Sequence, residues 1–225
     1  MRRILTTLLT FLIALLVPAL LVVNGVRVLA NDWYIHFAYA RPGFPPDVNG
    51  LTTDQRAELA LTGLHSVLPQ HVEGIDLLRQ ARLPDGSPAF NERELRHMHD
   101  VRALIGQLYP LHLAIAAAVV GLAIAFGRSG QTKRIVPGAL QAGAILTLGL
   151  AAALMIYIVV NFRTFFTQFH QILFEGETWL FQFTDTLIRL YPIPFWSDAA
   201  ALIGGATVVQ ALVLWIGARR WLKQL

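Results

Sequence analysis

Two short stretches of this chain hold side chains able to move protons. The first is FNERELRHMHDV, Phe90 to Val101. Asn91 with Glu94 three positions later forms a capping box, which predicts a helix starting at about Glu92. On that helix Glu94, His97 and Val101 share one face, and Asp100 sits close enough to His97 to orient its imidazole. His99 points elsewhere, because residues two apart are turned by about 200° around a helix. The same spacing argues against zinc, since ligands on one helix face stand three or four residues apart. The second stretch is NFRTFFTQFHQILFEGETWLFQF, whose single histidine is His170. A histidine titrates at about 6.5, so both are candidates for general acid or base work. Each also has a plain structural reading: a helix-face salt link for His97 with Asp100, and an interfacial histidine of an aromatic belt for His170.

Other chemistries find little support. The chain contains 7 histidines and no cysteine, which removes disulfides, thiolate metal sites and a cysteine nucleophile. Ser66, Ser87, Ser129 and Ser197 are the serines, and none stands in Gly-x-Ser-x-Gly. His36, His65, His71 and His112 read as structural or solvated. A transmembrane di-haem site needs paired histidines inside apolar spans, and pumps need ionisable groups there; the spans read here supply neither. No metal and no cofactor is expected.

The elements that must position these residues follow from composition. Of 225 residues, 55% are hydrophobic and only 14% charged, with a mean hydropathy of +0.54. That is too apolar for an ordinary soluble domain, and the net charge of +4 accompanies long apolar runs rather than a nucleic-acid-binding face. A hydrocarbon layer about 30 Å thick needs roughly 20 helical residues. Four stretches qualify: Ile4 to about Val26, Leu111 to Phe126, Val136 to Val160, and Ala199 to Ile216. The second is short and is expected to begin earlier, with Pro110 at a kink. The amino terminus also resembles a secretory signal, but its long apolar core and Arg27 beside Val28-Leu29-Ala30 favour a retained anchor.

Charge then orients the spans. Arg2, Arg3, Arg128, Lys133, Arg134, Arg219, Arg220 and Lys223 all fall on one side, and all 14 acids on the other. Lysine- and arginine-rich short loops stay cytoplasmic, which puts both termini inside and every histidine outside or at the membrane edge. The expected fold is an all-α membrane protein of four transmembrane helices, with a helical extracytoplasmic region between the first and second spans. Its organisation reads as a first span over 1–30, the extracytoplasmic region over 31–108, spans two and three with a short cytoplasmic turn over 109–161, an aromatic-rich outer loop over 162–198, and the fourth span with a basic tail over 199–225.

Within the exported region, Arg41 to Gly50 reads as turn and extended chain. Thr52 with Gln55 caps a helix that Pro69 ends, and a shorter helix runs from His71 to about Ala81. The outer loop is rich in phenylalanine and tryptophan, as suits a segment at the membrane interface. Gly176 is expected to break a helix extending from the third span, with Trp179 after the turn. Spans two and three are joined by a short turn, so the antiparallel pair they form brings His97 and His170 toward each other at the outer leaflet.

NERELRHMHDV, and FHQILFEGETWLF followed by TDTLIRLYP, resemble the paired signatures of the DUF1461 integral membrane proteins, the family of the lipoprotein intramolecular transacylase. The resemblance spans essentially the whole chain in order, spacing and membrane side. It implies a four-span bacterial plasma-membrane acyltransferase whose partners are diacylglyceryl-modified lipoproteins and membrane lipid, with no nucleic acid involved. The implied reaction moves the sn-2 acyl chain of the diacylglyceryl-cysteine to that cysteine's α-amino group. The family's two functional histidines fall on His97 and His170. In this reading His97, oriented by Asp100 and supported by Glu94, is the base, and His170 donates to the leaving oxygen or the oxyanion; the two roles are exchangeable. Trp179 and the phenylalanines line an acyl groove, while Arg93 or Arg102 steadies polar head atoms. The alternative is a non-enzymatic lipid-binding or sensor protein of the outer leaflet.

Overall fold

The structure is a computed structural model that describes residues 2–127 and 133–225. Among these, the helices are α1 (Arg2–Leu29), α2 (Asp32–Ala40), α3 (Thr53–Val67), α4 (Asp76–Gln80), α5 (Glu92–Gly127), α6 (Ile135–Val160), α7 (Phe162–Leu173), α8 (Thr186–Leu190) and α9 (Ile193–Lys223). No strand occurs among the described residues, and the all-α expectation holds. Arg128, assigned to the short turn between the second and third spans, lies outside the described residues.

Among the described residues, four helices are long and apolar enough to cross a membrane: Thr7–Leu29, Glu92–Phe126, Ile135–Val160 and Ile193–Lys223. The chain divides into two compact units. The first comprises Met1–Arg27, Pro110–Val160 and Ala201–Leu225, the second Val28–Tyr109 and Asn161–Ala200.

The first unit is built from the apolar spans. Ile13, Val17 and Leu21 repeat every four residues along α1 and pack with Ala139 of α6 and Ala211 of α9, while Leu122 of α5 closes on them. Gly143 sits where a Cβ would lie 2.7 Å from Val17 Cβ and 3.0 Å from the Ala14 carbonyl oxygen. The small residue lets two helix backbones approach closely, a common way of associating helices in lipid. Polar groups inside the unit close on one another. Asn24 Nδ2 donates to Gln210 Oε1 at 3.0 Å, Gln210 Nε2 shares the Leu21 and Ala206 carbonyls, and Thr147 Oγ1 donates to Gly143 O at 2.7 Å.

In the second unit, the capping box of Thr52 and Gln55 opens α3 with both reciprocal hydrogen bonds formed. α3 packs against α2, α4 and α8. α2 and α8 are two elements to which the sequence reading gave no helix. The helix expected from His71 to Ala81 is confined to Asp76–Gln80. Gly74 takes φ +54, and a Cβ there would lie 2.9 Å from the Arg102 guanidinium carbon, so the chain turns instead of coiling. The third span does not extend to Gly176. Asn161, with φ −151, interrupts it, and its side chain accepts the Thr164 N–H at 3.1 Å, starting α7 as a separate helix.

The short helix α8 is the most heavily tied segment of this unit. Arg189 meets Asp47 through two hydrogen bonds, Nε to Oδ1 at 3.0 Å and Nη2 to Oδ2 at 2.9 Å, with the side chains only 9% and 2% exposed. Arg56 is itself buried. It donates twice to the Arg189 carbonyl and once to Pro45 O, and lies over the rings of Tyr39 and Phe44. Tyr39 donates to Leu190 O at 2.7 Å, and Tyr191 to Ala60 O at 2.6 Å. Hydrogen bonding from Arg189 holds the Asp47 carboxyl below the usual carboxylate range, so its stabilisation is present above about pH 4 and is lost as pH falls through the depressed value. Asp47→Ala, which leaves the Arg189 charge buried and unpaired, is expected to destabilise this unit by about 3 kcal/mol. Thermal unfolding in detergent and hydrogen exchange of the α8 amides would measure it; a change below about 0.5 kcal/mol would place the pair among weak surface bridges.

Candidate active site

The site grows from the amino end of α5. Asn91 Oδ1 accepts the backbone N–H of Arg93 at 2.9 Å and of Glu94 at 3.1 Å, and Glu94 Oε2 accepts the Asn91 N–H at 2.8 Å. Both arms of the expected capping box are therefore made. Glu94 is only 1% exposed, and its second oxygen accepts the Leu187 N–H of α8 at 2.7 Å. One carboxylate thus serves the first turns of two helices, where negative charge is favoured. Asn91 Nδ2 adds a bond to Asp185 Oδ1 at 2.9 Å, and Asp185 Oδ2 takes the Gln182 N–H at 2.8 Å. Neither Asp185 nor Thr178 was singled out by sequence; the position of Asp185 just before the helical run TLIRL was its only signal.

One turn after Glu94 comes His97, which stacks with His170 at 6.0 Å between ring centroids and 28° between planes. Each is 8% exposed. Phe174 and Phe181 present their edges to His97 at 5.0 Å and 5.3 Å. Around His170 stand Phe166 at 4.2 Å, Trp179 at 5.1 Å and Phe174 at 5.6 Å. An aromatic cage encloses the two imidazoles, and Trp179 is part of it.

The ring nitrogens differ in what holds them. His170 Nδ1 lies 2.8 Å from the Phe166 carbonyl oxygen one turn back on α7. A carbonyl only accepts, so in the neutral ring Nδ1 carries the proton and Nε2 the lone pair. Burial moves the His170 pKa below its ordinary value, against the opposing pull of the Phe166 carbonyl. At neutral pH this residue is an uncharged base. His97 Nδ1 is buried with no hydrogen-bond partner among the described residues. A lone pair is cheaper to strand than an N–H, which places the His97 proton on Nε2.

Two expected roles, those of Asp100 and Arg102, are corrected by this geometry. Asp100 does not hydrogen-bond to His97: its Oδ2 accepts from Thr178 Oγ1 at 3.1 Å and its Oδ1 lies 4.0 Å from His99 Nδ1. The carboxylate ties α5 to the turn preceding Trp179 instead of orienting the imidazole. Arg102 has its donors taken by the carbonyls of Ser66, Leu68 and His71, the open end of α3, so it does not reach for head atoms. Arg93 Nη1 donates to Leu180 O at 3.0 Å and secures the same loop as Asp100. Among the described residues, no group of three or more His, Asp or Glu side chains has a geometry that could hold a metal ion.

α7 carries Phe162, Phe165, Phe166, Phe169 and Leu173 on one stripe at helical spacing. Phe169, Ile172 and Leu173 are exposed, at 44%, 81% and 37%. Apolar side chains this exposed along a helix suit the membrane interface.

Fold and site together define a multi-pass, all-helical membrane protein with a caged pair of histidines. The family model described as lipoprotein intramolecular transacylase Lit matches residues 6–196, and the chain belongs to that family of acyltransferases. An uncharacterized protein of Aquifex aeolicus (strain VF5) is 28% identical over 196 residues, covering 87% of this chain and 86% of its own length. The in meso structure of the membrane-integral transacylase Lit from Bacillus cereus superposes with a TM-score of 0.75 at 19% identity, covering 98% of this chain and 97% of that one. A variant of the same Bacillus cereus protein with one histidine changed to alanine gives a TM-score of 0.73 at 19% identity, over 99% and 96% of the two chains. At that identity these structures establish the shared fold.

Nuclear magnetic resonance of ring-labelled histidine is expected to show His170 protonated on Nδ1 and titrating with a midpoint below about 6.5. Proton uptake by the unfolded chain then lowers the stability of the folded one as pH falls below that value. A midpoint at or above 6.5, or a proton resident on Nε2, would contradict the burial and the Phe166 bond as the controlling terms.

Proposed function

We propose that the protein moves the sn-2 acyl chain of a lipoprotein's diacylglyceryl-cysteine to the α-amino group of the same cysteine, yielding the lyso form, with His170 as general base and His97 as donor to the oxyanion. The observation that carries this reading is the buried, stacked pair of imidazoles, with His170 Nδ1 against the Phe166 carbonyl and His97 Nδ1 without a partner among the described residues.

The reaction needs one proton moved from nitrogen to oxygen. An α-amine with a pKa of about 7.7 to 8.0 is partly uncharged near neutrality and attacks the ester carbonyl. His170 Nε2 takes the proton the nitrogen must lose, while His97 Nε2–H hydrogen-bonds to the oxygen that becomes negative. Collapse breaks the carbon–oxygen bond to glycerol, and His170 returns the proton to the departing oxygen. A carbon–nitrogen bond replaces a carbon–oxygen bond, and no enzyme nucleophile, cofactor or second substrate enters. Amine and ester belong to one molecule, so holding them in contact supplies an effective molarity of about 10⁵ M or more. The aromatic cage disfavours water as a competing nucleophile, and Trp179 with the neighbouring phenylalanines gives the acyl chain apolar surface.

The sequence favoured His97 as the base. The exchange of roles rests on the Phe166 carbonyl, which fixes the His170 tautomer, and on Asp100 being engaged by Thr178. The charge partition supports cytoplasmic termini and a site facing outward from the plasma membrane, with the segments 31–108 and 162–198 as its exported parts.

Mass spectrometry of a lipoprotein's amino-terminal peptide, from cells lacking amino-terminal acylation and with this protein expressed, is expected to show unchanged mass with one acyl chain on nitrogen. His97→Ala and His170→Ala should each lower conversion by about 100-fold or more while the protein remains in the membrane. Normal turnover in either variant would sink the mechanism. An acyl chain that stays on glycerol with the protein present would instead favour the lipid-binding reading.

A further inference from the structure

Away from the imidazoles, the second unit carries a cleft that the transfer chemistry does not use. Its volume is about 410 Å³, and it lies between α3, α4 and the turn that follows α4. That volume falls within the roughly 300–1,000 Å³ of ligand sites. Leu59, Leu77 and Leu83 give the cleft apolar walls, and Gln55, Glu58, Gln80 and Arg82 give it polar ones. The Glu58 carboxylate and the Gln80 amide make no hydrogen bond or ion pair among the described residues. Gln55 uses its Oε1 for the Thr52 N–H at 2.9 Å, which leaves its Nε2 donors.

The lining selects a class of ligand. A carboxylate and a guanidinium together give no single sign of charge, so the cleft favours neither a phosphate nor a cation. An extended polypeptide fits it. Its N–H and C=O groups repeat at every residue, side-chain amides both donate and accept, and apolar walls take a side chain that points inward.

The position of the cleft indicates whose polypeptide this is. The Ala89 N–H donates to the carbonyl of Ala81, a wall of the cleft, at 3.1 Å, and Arg82 and Pro88 form an antiparallel bridge beside it. Asn91 caps α5 two residues after Ala89, and His97 follows six residues later. Along that route, with a rise of about 1.5 Å per helical residue, His97 is no more than about 20 Å from the Ala81 wall. About six residues of extended chain cover that distance.

We propose that the cleft binds the polypeptide that follows the modified cysteine of the lipoprotein, through its main chain and without regard to a particular sequence. The identity of this polypeptide rests on the transfer reading, whereas the cleft's own chemistry asks only for extended main chain.

Binding to the full chain in detergent is measured with two lipopeptides, N-acetylated so that no transfer occurs and fluorescently labelled at the carboxyl end. One is diacylglyceryl-cysteine followed by a single serine, the other the same group followed by eight glycine and serine residues. The longer probe is expected to bind about tenfold more tightly, the gain of two or three peptide hydrogen bonds. Thr62→Trp, which places an indole in the cleft, should abolish that advantage, with unchanged thermal unfolding and unchanged affinity for the short probe. Gln80→Ala, at an exposed position that folding does not depend on, should reduce it about threefold and keeps the test decisive if Thr62→Trp is not recovered folded. Equal binding of the two probes, or an advantage that survives in the variants, would overturn the proposal. The free-amine form of the short probe, followed by mass spectrometry, reports on transfer alone. Absence of conversion there with the length advantage intact would sink the transfer reading and retain the cleft as a polypeptide site; conversion without any length advantage would do the reverse.

Discussion

The site depends on a buried carboxylate. Glu94 lies in the first turn of α5 and accepts backbone N–H groups from Asn91 and from Leu187, so one side chain closes its own helix and fastens α8. A carboxylate buried this deeply is tolerable only when both oxygens are hydrogen-bonded. That requirement fixes the rotation of α5 about its axis at its start. His97, one turn on, is therefore aimed at the loop that carries its partners.

The two halves of the caged pair are held by different physics. His170 is set by a hydrogen bond to a helix carbonyl, which decides its tautomer, and by burial, which keeps it uncharged. His97 is set by the edges of Phe174 and Phe181 and by stacking with His170, and its Nδ1 has no hydrogen-bond partner among the described residues. Asp100 and Arg93 act one step further out. They anchor Thr178 and Leu180 on either side of Trp179, so the ring that covers His170 is positioned from the helix that carries His97.

The first unit solves a different problem. In lipid there is little hydrophobic gain in pressing apolar helices together, and association relies on close backbone approach and polar pairs. Gly143 against Val17 and Asn24 against Gln210 supply one of each. The second unit, carrying nearly all the chain's carboxylates and aromatic hydroxyls, is held by buried ionic and tyrosine–carbonyl bonds, with Arg56, Asp47 and Arg189 converging on α8.

By itself the sequence determined what depends on local periodicity and composition. Long apolar runs define the spans, Asn91-x-x-Glu94 and Thr52-x-x-Gln55 define two helix starts, and the helical spacing of His97 and His99 separates one from the other. It also singled out His170 as the one histidine of an aromatic segment. Only the tertiary structure decided which groups those side chains meet. Asp100 stands three residues from His97, yet Thr178, 78 positions away, takes its hydrogen bond. Arg102 had the charge for a headgroup, yet the carbonyls at the end of α3 consume its donors. α8 is too short to announce itself by periodicity and exists because distant carboxylates and tyrosines hold its backbone. Local pattern is encoded within a few residues, whereas hydrogen-bond partners, and with them tautomer and catalytic role, are set by segments far apart in the chain.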